Sequence, residues 1–265
     1  MFKEIIEILS REGYESEQVE VIKGGTNVHG IRIKTETNIN PVYYPEMFPG
    51  KADEKAKLII DLFKETGRPN IDVTFIYDWE TVKDKIKLAV RPKTEDNSIK
   101  CEFLDLEITV KIRFEFENNV GTIAITEEML KLWGKTKEEV FEQARANADS
   151  YLVEPLFNAI PEELKPRFEP LIDNNFYLMT NTVRSYGASI LLQPKIFDNL
   201  AHELGSDLII IPSSIHEVIC IRADIADEEV INQMIKEVNT NDLLPQEVLS
   251  DHLYKYSRFT KTISY

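Results

Sequence analysis

Between an apolar run that stops at Pro212 and a second that begins at Val218 stand Ser213, Ser214, His216 and Glu217. In kind these are a nucleophile, a general base and an orienting carboxylate, the set a serine-type hydrolase uses. Their spacing argues otherwise. On an extended chain Ser214 and His216 share one face while Glu217 points to the other. Neither serine lies in the strained G-x-S-x-G elbow that exposes a nucleophilic hydroxyl. The stretch therefore reads as a β-hairpin turn whose serines bond the backbone. A hydrolase using Ser213 or Ser214 with His216, and a distant acid behind the imidazole, is the alternative.

Two further patterns invite a chemical reading. His202-Glu203 and His216-Glu217 resemble the start of a zincin helix, but the positions four residues beyond each histidine are Ser206 and Cys220. Serine cannot serve, and on a strand residues four apart lie about 13 Å from one another. The four histidines (His29, His202, His216 and His252) carry no spacing that makes them converge, so no metal and no cofactor are expected. The segment Thr180–Gly187 places Arg184 and Tyr186 among hydroxyls between two apolar stretches, which suits an anion site or a fixed loop. Gly24-Gly25-Thr26-Asn27 lacks the lysine and following helix of a phosphate loop. Tyr43, Tyr44 and Phe48, set among prolines, suit packing over the preceding hairpin.

These residues need a scaffold, and the chain is long enough for one large domain or two modest ones: 265 residues, 43% hydrophobic and 29% charged. Apolar runs are too short to span a bilayer. Acids inside the N-terminal stretch MFKEIIEILS speak against a signal peptide. Cys101 and Cys220 stand far apart and read as ordinary thiols of a reducing cytoplasm. Forty-six acids against 31 bases give a net charge of −15, which repels nucleic-acid phosphate. The excess is concentrated: from Asp198 to Asp251 there are 12 acids and two bases, Arg222 and Lys236. Asp227, Glu228 and Glu229 head its densest part.

Periodicity supplies the elements. Helices are expected over residues 2–12, 52–66, 79–90, 126–133, 136–147, 195–204 and 227–238. Thr136 and Glu139 form a capping box at the start of the fifth. In the last, Val230, Ile231, Met234, Ile235 and Val238 are expected to face inward. Strands are expected over 18–22, 30–34, 103–116, 122–125, 176–179, 187–192, 207–211, 217–222 and the aromatic end 254–265, while 71–77 reads either as a strand or as the run-in to the helix that follows. The strict alternation from Leu106 to Phe116 marks a half-exposed antiparallel strand. Together these predict an α+β fold of mostly antiparallel sheets with flanking helices. Two tightly associated halves, 1–152 and 153–265, are expected near the proline-rich segment 155–170, with one continuous domain as the alternative.

The blocks Leu-Gly-Ser-Asp-Leu (204–208), Ile-Pro-Ser-Ser-Ile-His-Glu-Val (211–218), Glu-Val-Asn (237–239) and Glu-Val-Leu-Ser-Asp (247–251) resemble an uncharacterised family of bacterial proteins. Phe-Leu-Asp-Leu-Glu (103–107) and Lys-Leu-Trp-Gly (131–134) fit it too. The family is a domain of unknown function found in anaerobic gut bacteria and their mobile elements. The resemblance implies a cytoplasmic bacterial protein and a mobile-element setting, and brings no reaction, cofactor or catalytic residue. The leading expectation is a protein-binding or regulatory module whose acidic face meets a basic partner, in its sharper form an inhibitor of a nucleic-acid enzyme. A homo-oligomer joined through the C-terminal aromatic strand is a third reading.

Overall fold

The computed structural model describes residues 1–23, 26–35, 40–66, 74–116, 119–160, 162–163, 165 and 175–265. The glycine turn at Gly24-Gly25, the start of the segment 71–77, Asn118 and much of the segment 155–170 lie outside them. The rest of 71–77 is a 3-10 helix, Thr74–Tyr77, and not a strand. Two compact units are formed, Met1–Phe75 and Ile76–Tyr265.

In the first unit an amphipathic helix, α1 (Phe2–Arg11), leads into the antiparallel strands β1 (Ser16–Lys23) and β2 (Thr26–Ile33). β3 (Val42–Tyr43) adds a short edge to β2, and α2 (Ala52–Thr66) follows. Ile5 and Leu9 of α1 meet Ala56 and Ile59 of α2 over Ile31 and Ile33, all buried.

The second unit opens with a short helix, α3 (Trp79–Val82), and a 3-10 turn, and then runs as strand β4 (Ile86–Pro92). The expected helix over 79–90 is thus corrected to one helical turn followed by a strand. Of the three lysines read as a helical face, Lys83 and Lys85 lie in the 3-10 turn and only Lys87 in the strand. Nor do all three form a solvated face, because Lys87 Nζ lies 3.2 Å from Asp149. β5 (Lys100–Phe103) and β6 (Leu106–Phe116) make a hairpin around Leu104-Asp105, so the expected strand 103–116 is broken there. β4 flanks β6 on one side, while β5 and then β7 (Asn119–Ala124) pair with its successive halves.

Glu107 and Thr109 of β6 are buried, so the strand is covered on both faces at its start. Glu107 is tolerated because Arg91 Nε donates to it at 2.8 Å, while the other guanidinium nitrogens meet Asp96 and Ser98. Burial opposes charge at Asp96, but the bonds from Arg91 and Ser98 outweigh it and hold its carboxyl well below the usual range. The set is internally satisfied, which is the condition for burying charge at all.

Helices α4 (Glu127–Trp133) and α5 (Lys137–Ala146) follow, the second opened by the expected Thr136–Glu139 capping box. Strand β8 (Tyr151–Pro155) and a helical turn, α6 (Leu156–Ala159), come next. The expected junction at 152/153 lies within β8, because that strand forms one edge of a six-stranded sheet. β9 (Phe176–Asn181) leads to a buried 3-10 helix, Gly187–Leu192, where a strand was expected. α7 (Pro194–Leu204) ends at Gly205, which takes a left-handed φ of 66°.

β10 (Leu208–Ser214) and β11 (Glu217–Arg222) form the central hairpin, and α8 (Glu228–Asn241) then precedes β12 (Tyr254–Ser257) and β13 (Thr262–Ser264). The sheet order is β13-β12-β10-β11-β9-β8, and every named strand pair among the described residues is antiparallel. The run Leu-Ile-Ile-Ile in β10 is apolar without alternation because both its faces are covered. Leu208 and Ile210 join Phe197 and Leu200 of α7 in one core, and Ile209 and Ile211 meet Ile231 and Ile235 of α8 in another. Burying each such side chain stabilises the fold by about 1.5–3 kcal/mol. This is the α+β, mostly antiparallel architecture expected. Among the described residues no helix is long and apolar enough to cross a membrane.

Candidate functional site

Ser214 pairs with Glu217 across the β10–β11 hairpin, leaving Ile215 and His216 as a two-residue turn, with a register shift between Ile211 and Ser214. The His216 amide donates to Ser214 Oγ at 3.0 Å, and Ser213 Oγ donates to Glu217 at 3.3 Å. Other segments satisfy the rest of the turn. The Ile215 amide donates to the Glu247 carbonyl at 2.9 Å, and the Ile215 carbonyl accepts from Ala188 at 3.3 Å. Thr180 Oγ1 donates to the His216 carbonyl at 2.8 Å.

The imidazole is held as tightly. Its Nδ1 accepts the Tyr186 amide at 3.1 Å, which fixes the neutral form with its proton on Nε2. Burial lowers the His216 pKa, outweighing the nearby Glu247 and Glu217 charges that would raise it. A serine relay needs the hydroxyl on an imidazole nitrogen. Among the described residues, the two serine oxygens meet a backbone amide and a carboxylate instead.

The loop carrying Arg184 and Tyr186 packs on this turn. Both residues adopt left-handed backbone, at φ 50° and 52°, an uncommon conformation that surrounding contacts must hold. Asn181 holds it: its amide nitrogen donates to the Ser185 carbonyl at 2.8 Å and its oxygen accepts from the Ser185 amide at 3.1 Å. Gly187 makes the close approach possible, since a Cβ there would lie 2.2 Å from Thr180 Oγ1 and 2.3 Å from the His216 carbonyl oxygen. The Tyr186 ring lies 5.5 Å from the imidazole and carries Lys111 Nζ at 4.6 Å on its face. Arg184 reaches Glu154 at 3.1 Å. The structure thus brings Tyr186 to Ser213, Ser214, His216 and Glu217, with Arg184 two residues away, while Asp227, Glu228 and Glu229 belong to another element.

Apart from Glu217 and Glu247, the acids of the acid-rich stretch have partners outside this turn or, among the described residues, none. Asp227 is the N-cap of α8 and accepts the Val230 amide at 3.2 Å. Glu228 pairs with Lys255 at 2.7 Å. The C-terminal strands return bases to the acids: Lys261 to Asp198 at 2.8 Å and Arg258 to Asp207 at 3.4 Å. Among the described residues Glu229 has no ion-pair partner. Between Asp227 and Asp242 five acids stand against Lys236 alone.

On α8 the expected inward set is corrected. Ile231 and Ile235 are buried, but Val230, Met234 and Val238 are 61%, 43% and 37% exposed. Four-residue spacing stacks these three in one column beside the buried face, with Glu237 at its other flank. The sheet accommodates only two of these five apolar positions, so the helix carries a wider apolar arc than its own core uses.

The remaining histidines do not gather. His202 is exposed on α7, and His29 packs near Phe2 with ring centroids 6.4 Å apart. His252 lies 3.0 Å from Asp105, which also accepts from Tyr254 at 2.8 Å. Among the described residues no group of three or more His, Cys, Asp or Glu could hold a metal. Cys220 is buried and Cys101 half-buried, both as free thiols, and burial pushes the Cys220 thiol far up, which leaves it unreactive. The Asp105 cluster and the Arg91 network escaped sequence reasoning. Their only sequence signal is an acid (Glu107) at a position the β6 alternation assigns to the polar side.

Compared with protein-family models, the chain matches a family of unknown function, DUF5688, over residues 2–258. Neither the curated proteins nor the solved structures gave a match.

Proposed function

The chain belongs to the DUF5688 family of unknown function, and we propose that it is a protein-binding or regulatory module acting through the outer face of α8. The observation that carries this reading is the column Val230, Met234 and Val238, apolar and exposed on a helix dominated by acids. Apolar side chains left in water along one line suit a partner surface, and the flanking Glu229 and Glu237 select its sign. The occupant is a basic, amphipathic segment of another protein. A second copy fits poorly, because it would bring the same acids against themselves. In this reading the protein is cytoplasmic and bacterial, in a mobile-element setting, and its basic partner is a nucleic-acid enzyme that it inhibits.

The test places a photo-crosslinking residue at Met234 in the native host and captures partners at low and high salt. A basic protein whose capture falls steeply with salt, and is lost on Glu229→Lys with Glu237→Lys, supports the proposal. Capture indifferent to both changes overturns it, as does sedimentation showing that the chain dimerises through this column.

A further inference from the structure

A cavity of about 690 Å³ opens in the second unit between the sheet of β4 to β6, helix α5 and strand β13. Close-packed interiors hold few voids larger than a water molecule, whereas preformed ligand sites span roughly 300–1,000 Å³. Its walls are apolar. Leu88, Phe103, Ile108 and Ile263 line it and remain partly exposed, although their neighbours Val90 and Val110 are fully buried.

Polar groups converge on one side. Tyr151 Oη and Ser189 Oγ lie 3.4 Å apart, and Gln193 bonds the same phenol. Three cations line the cavity, but two are already neutralised: Lys87 by Asp149 at 3.2 Å and Lys261 by Asp198 at 2.8 Å. Arg145 differs. Among the described residues it has no carboxylate partner, and its guanidinium lies 6.0 Å over the Phe141 ring, at the edge of the apolar wall. A single unpaired guanidinium beside an apolar hollow matches one carboxylate on a hydrocarbon body, since the planar fork donates to both carboxylate oxygens.

We propose that this cavity binds a small amphipathic monocarboxylate, its apolar body against Leu88, Phe103, Ile108 and Ile263 and its charge on Arg145. The site is independent of α8 and of any partner there.

Titration calorimetry of the full chain with octanoate, octanol and octylamine tests it. Octanoate is expected to bind saturably, octanol about tenfold more weakly, as one charge-assisted bond implies, and octylamine not measurably. Arg145→Glu, at an exposed position, should bring octanoate below the level of octanol, since it removes the bond and adds a like charge. Ile263→Trp should block both by filling the hollow. Leu192→Trp, at another lining residue, does the same should the first variant fail to fold. Octylamine binding as tightly as octanoate, no heat with octanoate, or unchanged octanoate affinity in Arg145→Glu and the filled variant would each overturn the proposal.

Discussion

The turn around His216 and the outer face of α8 are the two places where this sequence concentrates residues that look functional, and they are opposite in kind. At the turn, the backbone amides and carbonyls of Ile215 and His216 and one imidazole nitrogen are all taken up, by Ser214 of the hairpin itself or by neighbouring segments. On α8 three apolar side chains face water and Glu229 has no counter-charge among the described residues. A residue whose partners are all internal acts through stability. A residue with none is free to act on another molecule. Substitution should therefore separate the two regions: stability should fall in the first and hold in the second.

The largest effect is expected at Gly187. Alanine there sets a methyl carbon 2.2 Å from Thr180 Oγ1 and 2.3 Å from the His216 carbonyl oxygen, so the loop and the turn must part. Gly187→Ala should lower stability by about 3 kcal/mol, read as a shifted urea midpoint. An unmoved midpoint would mean that the loop is not locked to the turn.

Ser214→Ala comes next. It removes the acceptor of the His216 amide beside a buried side chain, at a cost of about 1–2 kcal/mol. The hydrolase alternative expects a different outcome, namely lost turnover of an ester substrate with the midpoint unchanged. Measuring both quantities on one variant separates the two readings.

A smaller effect is expected from acid. His216 has a lowered pKa in the fold, so between that value and the ordinary 6.5 or so the unfolded chain binds more protons than the folded one. Its contribution to stability is complete above about pH 6.5 and shrinks as the pH falls through the lowered value. Glu247 and Glu217, whose charges act on this ring, are present in both proteins being compared, so the difference between the unaltered chain and His216→Gln isolates the imidazole. That difference in melting temperature should narrow from pH 7.5 to pH 5. A constant gap would contradict the neutral, amide-accepting ring.

The contrast also explains what the sequence could and could not reveal. The β10–β11 turn was legible because Pro212, two serines and the flanking apolar runs are local signals that act within a few residues. The Thr136–Glu139 box was legible for the same reason. The partners that decide what the turn does are not local: Thr180, Tyr186, Gly187 and Glu247 arrive from 29 to 36 positions away, and a single sequence carries no register for them. Strand β4 was hidden because Ile86, Ala89 and Val90 imitate a helical stripe, while its pairing with β6 is settled only by tertiary contact. On α8 the pattern was read correctly as amphipathic, but its width was not informative. Five apolar positions look alike until the sheet shows that it covers two.

The smallest stability effect, and the sharpest contrast with the turn, is expected on that helix. Val230→Ser with Met234→Ser removes side chains that are 61% and 43% exposed and stand outside the buried cluster under β10, so little packing is lost and no buried cavity is left. Serine is a poorer helix former than methionine but close to valine, so the net change should stay within about 0.5 kcal/mol. The same double variant should abolish capture of a basic partner, because the apolar column supplies contact area that the flanking acids cannot replace. Ile231→Ser, one position away and buried, should reverse the pattern by weakening the fold through the core under β10. Should the Val230 and Met234 variant destabilise the chain as Ile231→Ser does, the column belongs to the core and the proposed contact face falls.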